Sequence, residues 1–405
     1  VVDAIINIVT NKQLFDNYAL TLNGGANTQP KANAGVNLMG TYKCLDYSLG
    51  YGYTLDGQRK QPITSDGRYE QGAQWQENVG EGVGDGDWNR HLVRAMLQWR
   101  PDTLNTLYID GHALIEQTNM NTTWQQTFNE QGQTPFHSIF DTENKNTAGT
   151  AEANIIYRTL FRESGDEHRV VGYRYTYNPD VRHYNLAVSE TLGPQRRTKR
   201  KTNGGLHEHS LSVDLNVLNN DNATLLVGGK QTLRNSNTDT SHKVLKAGEW
   251  VDDDAENTQQ QQLNYTQNVS AAYASLSLGV GNFTLDASLR WEYGDLKMRF
   301  TQQPAYNFTS RKHYVLPYAG IYYQAKSSSL SLNYNAGVMR PSILMFNPFK
   351  APTSQYLASE GNPLLKDAYT HNIEASYSLY SNTLFLSYSL HYKWTNHPIM
   401  VCPRY

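Results

Sequence analysis

Apolar and polar residues alternate along much of this chain with a period of two, the spacing of a pleated strand whose two faces meet different surroundings. Val171, Tyr173, Tyr175 and Tyr177 alternate with Gly172, Arg174, Thr176 and Asn178, and Leu211, Val213, Leu215 and Val217 with Ser212, Asp214 and Asn216. Leu285, Ala287, Leu289 and Trp291 interleave with Asp286, Ser288, Arg290 and Glu292, and Leu384, Leu386, Tyr388, Leu390, Tyr392 and Trp394 with Ser387, Ser389, His391 and Lys393. Strands of soluble proteins run to about five or six residues, whereas a tilted bilayer crossing takes about nine to eleven. These segments have the second length.

The joins add a second regularity. Short turns rich in Gly, Pro, Asn, Asp and Ser fall near Lys43 to Asp46, Arg100 to Asp102, Ser164 to Glu167, Asn219 to Asn222, Gly279 to Asn282, Lys326 to Ser329 and Ser381 to Asn382. Long polar stretches lie between them near Gly57 to Gly86, Met120 to Gly149, Asn235 to Gln259 and Arg340 to Asp367, with shorter ones near Gln29, Thr191 to Gly205 and Thr301 to Ser310. Short periplasmic turns alternating with longer extracellular loops are the pattern of outer-membrane barrels. The fold class expected is therefore all-β, an antiparallel transmembrane β-barrel. About fifteen strands run from near Asn17 to near Asn396, with the long polar stretches as extracellular loops. Bacterial single-chain barrels close on an even number, and Pro398 and Pro403 in the irregular tail 397–405 would interrupt a closing strand. A wall that stops short of closure is the expectation.

Composition agrees. Of the 405 residues only 18% are charged, and 35 Lys and Arg against 37 Asp and Glu leave a net charge of -2, which gives no basic field for a nucleic acid. The 28 Tyr exceed what a soluble core needs and suit an interface with one apolar and one wet side. Cys44 and Cys402 are too few for a disulfide framework or a cysteine metal site.

Candidate chemistry is sparse. No Ser/His/Asp order, nucleophile elbow or paired-carboxylate motif points to an enzyme, and the glycine-rich Gly80-Glu81-Gly82-Val83-Gly84 opens no helix that could cradle a phosphate. Asp85, Asp87 and Asn89 have the spacing of a calcium loop's first ligands, but Arg90 and Met96 stand where glycine and a bidentate glutamate belong. Glu249, Asp252, Asp253, Asp254 and Glu256 read first as a solvated loop tip. His207 and His209 would share one strand face but lack a third metal ligand, so no metal or cofactor is expected. Trp75, Trp88, Trp124 and Tyr356 are the outer-loop aromatics placed to stack on a ligand. Arg196, Arg197, Lys199, Arg200 and Lys201 crowd five cations into six positions of an outside-facing loop between Tyr184 and Leu206, suited to lipopolysaccharide phosphates.

Two motifs carry a family resemblance. The opening Val1-Val2-Asp3-Ala4-Ile5-Ile6-Asn7-Ile8-Val9-Thr10-Asn11-Lys12 resembles the last plug strand of TonB-dependent outer-membrane receptors, with Asn7 and Ile8 matching its core and Asp3-Ala4 departing from the usual glycine. Arg340-Pro341, Leu344 to Phe349 and Gly361-Asn362-Pro363-Leu364 before Asn372 and Glu374 are similar to the receptor-barrel signature, most of all in the branch common in Bacteroidetes; Asp367-Ala368 departs from Pro-Glu. Gly361, Asn362 and Pro363 are expected to shape a loop re-entering a strand, Gly361 through a positive φ.

The resemblance implies the end of a plug domain over 1–13 and most of a barrel of about 22 strands over 14–396. It implies an uptake receptor for a scarce siderophore, glycan or peptide, driven by a TonB-type energy-transducing complex that engages a plug. The rival expectation is a β-rich surface binding or adhesion protein without transport; a propeller is disfavoured because no repeat of about 40 residues is present.

Overall fold

The computed structural model describes residues 16–402 apart from 29, 72–73, 131, 133, 162–166, 191–194, 221, 253–260, 349–350 and 353–357. The expected plug strand, with Asn7 and Ile8, lies outside the described residues. Nine strands come first: β1 (Asn17–Ala26), β2 (Lys31–Tyr42), β3 (Leu45–Gln71), β4 (Gln74–Trp99), β5 (Asn105–Glu130), β6 (Phe136–Leu160), β7 (His168–Glu190), β8 (Arg196–Asn220) and β9 (Ala223–Lys246). After the short β10 (Glu249–Asp252) come β11 (Gln261–Val280), β12 (Phe283–Phe300), β13 (Phe308–Gln324) and β14 (Ser328–Met339). The helical turn α1 (Ile343–Phe346) and the two-residue strands β15 (Ala351–Pro352) and β16 (Ala358–Ser359) precede β17 (Ala368–Tyr380) and β18 (Phe385–Asn396). All but β15 and β16 form one 16-stranded sheet in which each wall strand pairs antiparallel with its sequence neighbours, β10 hanging from β9. The wall begins at Asn17 and ends at Asn396, as the alternation predicts, and the sheet is open between β1 and β18.

The short turns among the described residues stand where turn chemistry placed them, and three are closed by side-chain oxygens; the turn expected near Ser164 to Glu167 lies mostly outside the described residues. Asp102 Oδ1 accepts from the N–H of Leu104 and Asn105 at 2.8 and 2.7 Å, Asn220 Oδ1 from Asn222 and Ala223 at 3.0 and 2.8 Å, and Ser381 Oγ from Leu384 at 3.2 Å.

The long polar stretches correct the sequence reading. Gly57 to Gly86 lies almost wholly in β3 and β4, Met120 to Gly149 in β5 and β6, and most of Asn235 to Asp252 in β9 and β10. Strands of 23 to 27 residues from β3 to β9 thus outrun the roughly 10 needed for a crossing, so their outer halves stand clear of the membrane as paired ribbons. With water on both faces a strand needs no hydrophobic contrast, so its period of two is silent in composition. Backbone pairing still propagates from the membrane zone, helped by polar cross-strand pairs such as Thr123 to Asp141 (2.8 Å), Gln126 to Asn78 (3.0 Å) and Asn185 to Glu143 (2.8 Å). Among the described residues, Arg340 to Asp367 keeps a largely irregular connection, and so does the shorter stretch from Thr301 to Asn307.

Directly paired residues share a face, so the register sorts the two sides. Ile109, Ile155, Tyr173 and Leu211 stand opposite one another across β5 to β8, and Leu285, Ile321, Leu332, Ala375 and Leu390 across β12, β13, β14, β17 and β18. These rows are open to the surroundings: Leu211 is 50% exposed, Leu285 40% and Leu289 53%. No second sheet or helix covers them among the described residues. An apolar band of this width lies within the lower half of each strand, next to the short turns, and is the lipid-facing belt. The opposite, inner face carries the polar half of each alternation.

Candidate functional site on the inner face

Beyond the belt, the inner face holds a band of paired charges. Glu208 of β8 accepts from Arg174 of β7 at 2.9 Å and from Arg234 of β9 at 2.6 Å, and Arg234 also donates to Gln267 of β11 at 2.7 Å. Further round, Glu292 of β12 accepts from Arg290 at 2.7 Å and from Arg340, just past β14, at 2.5 Å. The Arg340 guanidinium lies 5.1 Å from the Tyr314 ring centroid; the Tyr314 hydroxyl donates to Asp367, which also pairs with Lys312 at 3.3 Å. Opposite charges alternate along this band, so each carboxylate is met by more than one donor and is held rigidly. Replacing Glu208 by alanine strands two guanidiniums with no carboxylate between them; we expect a loss of about 1–3 kcal/mol, read as a lower unfolding midpoint in detergent, with glutamine recovering part of it.

An apolar patch sits just outside this band. Leu263, Tyr265, Leu296, Met298 and Phe300 from β11 and β12 are buried with Phe346 of α1, against which Leu206, Phe308, Ile343 and Leu365 pack. The connection between β14 and β17 therefore folds back over the inner face, with Phe346 3% exposed and its ring 5.2 Å from that of Phe308. Burial pushes the Tyr265 phenol up to about 12, so it remains a neutral hydrogen-bond donor. Gly361 closes this fold. Its N–H donates to Asn347 O at 2.7 Å and that of Asn362 to Met345 O at 2.7 Å, and a Cβ on Gly361 would meet three backbone atoms of this segment at 2.6 to 2.7 Å. The glycine is required by close approach; a positive φ, expected from the sequence, is not its conformation. Asn362 Oδ1 accepts from Leu364 N at 2.9 Å, the local turn expected of Asn362-Pro363.

The other candidates are placed differently from their sequence reading. Trp88 and Trp124 lie in β4 and β5, both on the inner face, and not in loops. Trp124 is paired with Gly82 and lies flat over Gly80 and Gly82, so the glycine-rich run is a smooth stripe of β4 that accepts an indole. Trp88 is six rows away beside Arg90, its ring centroid 6.0 Å from that guanidinium, so the two indoles do not converge. The Trp75 side chain and Tyr356 lie outside the described residues.

The basic run is likewise strand, not loop. Arg197, Lys199 and Lys201 point outward and Arg196 and Arg200 inward, in register with Ala187, Asn185, His183, Val188 and Tyr184 of β7. Lys199 lies 4.2 Å from the Trp250 ring centroid, and Arg200, 5.7 Å from that of Tyr184, has its pKa lowered by burial and then by the nearby Arg182 charge. Alternation splits the five cations between two surfaces, so no single ligand meets them all.

Asp85, Asp87 and Asn89 are engaged within the sheet. Asp85 accepts from Lys60 N at 2.9 Å at the bulge of β3, and Asn89 bridges Tyr53 and Asp87, both at 2.7 Å. Asp252 faces Lys243 at 3.7 Å, and Asp253, Asp254 and Glu256 lie outside the described residues. No group of three or more His, Cys, Asp or Glu side chains converges as a metal site among the described residues. Sequence reasoning missed the Arg174–Glu208–Arg234 and Glu292–Arg340 links, whose only signal was charged residues in the polar half of the alternation; who meets whom depends on register.

No curated protein matches this chain. Among solved structures it is similar to the copper transporter OprC, at 12% identity and a TM-score of 0.57 over 92% of this chain and 52% of that one. It is also similar to the ferric yersiniabactin uptake receptor FyuA from Yersinia pestis, at 8% identity and a TM-score of 0.26 over 95% and 81% of the two chains. Identities this low bear on fold alone, and only the OprC superposition is close enough to do so. The chain spans about half the length of the OprC structure. Residues 165–404, more than half of the chain, match the family model described as outer membrane protein beta-barrel family. With a lipid-facing belt on one side of long antiparallel strands and a polar inner face on the other, this chain belongs to the outer membrane protein beta-barrel family.

Proposed function

We propose that this chain is the barrel wall of an outer-membrane uptake receptor of the TonB-dependent kind, which takes in a scarce solute of the siderophore, glycan or peptide class. The observation that carries the reading is the inner face. A band of fixed charges lies beneath an apolar patch onto which the Arg340 to Asp367 connection is docked, an arrangement that lines and narrows a passage. The receptor-like motifs at Asn7-Ile8 and at Gly361-Asn362-Pro363, the latter most similar to the branch common in Bacteroidetes, support it, and the TonB-type complex would act through a plug. On this reading Trp88 and Trp124 would meet a solute in the passage, which their position on the inner face supports, and Arg197, Lys199 and Lys201, on the outward face, would meet lipopolysaccharide.

Deletion of the gene should abolish growth on one limiting nutrient within a panel of siderophores, glycans and peptides, and loss of the TonB system should do the same. Unchanged growth on every member, with uptake rates equal to the parent, would leave the surface-binding alternative in place.

A further inference from the structure

Five of the twelve histidines stand on the outward face at one level, and each is in ring contact with tyrosine or tryptophan. His91 touches Tyr51 and Tyr53; His207 and His209 interleave with Tyr173, Tyr175 and Tyr177; His313 stacks on Trp291 and touches Tyr293; His371 lies among Tyr334, Tyr369 and Trp394, its ring 4.6 Å from the indole. The polar ends are paired in a repeated way. Tyr51, Tyr173, Tyr175 and Tyr334 each share a hydrogen bond between their hydroxyl and the Nδ1 of His91, His209, His207 and His371, at 2.8 to 2.9 Å.

The level is the outer rim of the membrane. Four of these histidines lie eight to eleven residues from the short-turn ends of their strands at Trp99, Asn220, Gln324 and Tyr380, about one tilted crossing, and His207 lies one outward-facing position further out, thirteen residues from Asn220. Below them run the exposed apolar rows; beyond them the outward face is mostly polar, as at Asp295, Lys297 and Arg311.

We propose that these tyrosine–histidine ladders form a girdle that binds the phosphates of the outer-leaflet lipid, lipid A. In His91, His207, His209 and His371, with Nδ1 held by a tyrosine hydroxyl, Nε2 is the ring nitrogen left to turn away from the wall. A neutral imidazole whose Nδ1 accepts from tyrosine carries its proton on Nε2, and the protonated ring donates from both nitrogens, so either form offers an N–H to an anionic oxygen. The stacked rings hold that donor at headgroup depth, where tyrosine and tryptophan alone would supply only an amphipathic belt. Continuity with the lipid-facing belt names the occupant. The basic run lies beyond the depth of the lipid A phosphates, since Lys201 is eight residues past His209, roughly 25 Å along the strand, and would meet only the outer saccharide part of the same lipid. Arg311 and Lys297, flanking Asp295 at 3.3 and 3.5 Å on the outward face near His313, add positive charge above the girdle. The inference rests on the membrane placement of the wall and not on solute uptake.

The test compares the protein with the variant H91F/H207F/H209F/H313F/H371F, which keeps the ring stacking and removes the donors. Both are reconstituted in phosphatidylethanolamine vesicles containing lipid A or dephosphorylated lipid A, and the unfolding midpoint is read by heat-modified gel migration. The wild type should unfold at a higher temperature with lipid A than with its dephosphorylated form, and the variant should lose that difference; inorganic phosphate should raise neither. If the fivefold variant does not fold, H207F/H209F should remove roughly two-fifths of the difference, as independent sites would. A lipid A-dependent rise that persists undiminished in the variants, or an equal rise from inorganic phosphate, overturns the proposal. Uptake assays on the same variant separate its failure from failure of the receptor reading.

Discussion

Arginine placed at Leu211 or Leu289 should prevent stable insertion of the wall, whereas arginine at the adjacent Ser212 or Ser288 should be tolerated. Both leucines are half exposed on the outward face, opposite Tyr173 and Ala274 in the belt, and nothing but lipid remains to cover them. A cation on the lipid face of a barrel costs about 2–4 kcal/mol near the midplane, where Leu289 lies, and less toward the rim, where Leu211 lies, while the same charge on the inner face meets water or polar neighbours. Two such substitutions together approach the whole stability of a marginal protein, roughly 5–15 kcal/mol. The expected result is loss of the folded, heat-modifiable band from outer-membrane fractions for L211R/L289R and its retention for S212R/S288R. Equal loss for both pairs would place the two faces in the same surroundings.

Alanine at Phe346 should free the connection between β14 and β17 without dissolving the wall. Its ring is almost wholly buried among Leu263, Tyr265, Leu296, Met298 and Phe300, and removing a buried phenylalanine costs about 3–5 kcal/mol. The strands beneath are held by their own ladders, so the loss falls on the docking of α1 and the segments around it. Limited proteolysis should cut F346A between residues 340 and 367 at least about tenfold faster than the wild type, with the barrel fragment intact, since 1.4 kcal/mol corresponds to a factor of ten. G361V should behave alike, because its side chain would collide with the backbone of Met345 and Asn347. Protease resistance equal to wild type in both variants would mean that this connection is held by something other than the apolar patch.

The membrane zone was legible in the sequence because there the two faces have different solvents, and solvent contrast writes itself as alternation. Leu285, Leu289 and Trp291 against Asp286, Ser288 and Arg290 is such a case, and the strand limits at Asn17 and Asn396 followed from it. The outer halves of β3 to β9 were not legible, because a ribbon wet on both sides has no contrast to display. That is why Trp124 and the basic run from Arg196 to Lys201 read as loop residues. Gly361 was singled out correctly but for the wrong property, since sequence cannot tell a left-handed turn from a backbone pressed close to another backbone. The inner band needed register: Glu208 and Arg234 are 26 residues apart in the chain and directly paired across strands, a relation fixed only by where the Asn220 turn falls.

The account depends on the strands having one side in lipid and one in water, and spin-label scanning of the folded protein tests this most directly. Single cysteines at successive positions from Phe283 to Tyr293 and from His209 to Leu215, short of the register shift at Val217, would be labelled in vesicles, and their collisions with lipid-dissolved oxygen compared with those of a water-soluble nickel complex. Odd-numbered positions should favour oxygen and even-numbered ones should be shielded from it, with an unbroken period of two across both segments. Accessibility that is uniform along the segments, or odd-numbered positions shielded from oxygen, would contradict the membrane-wall account.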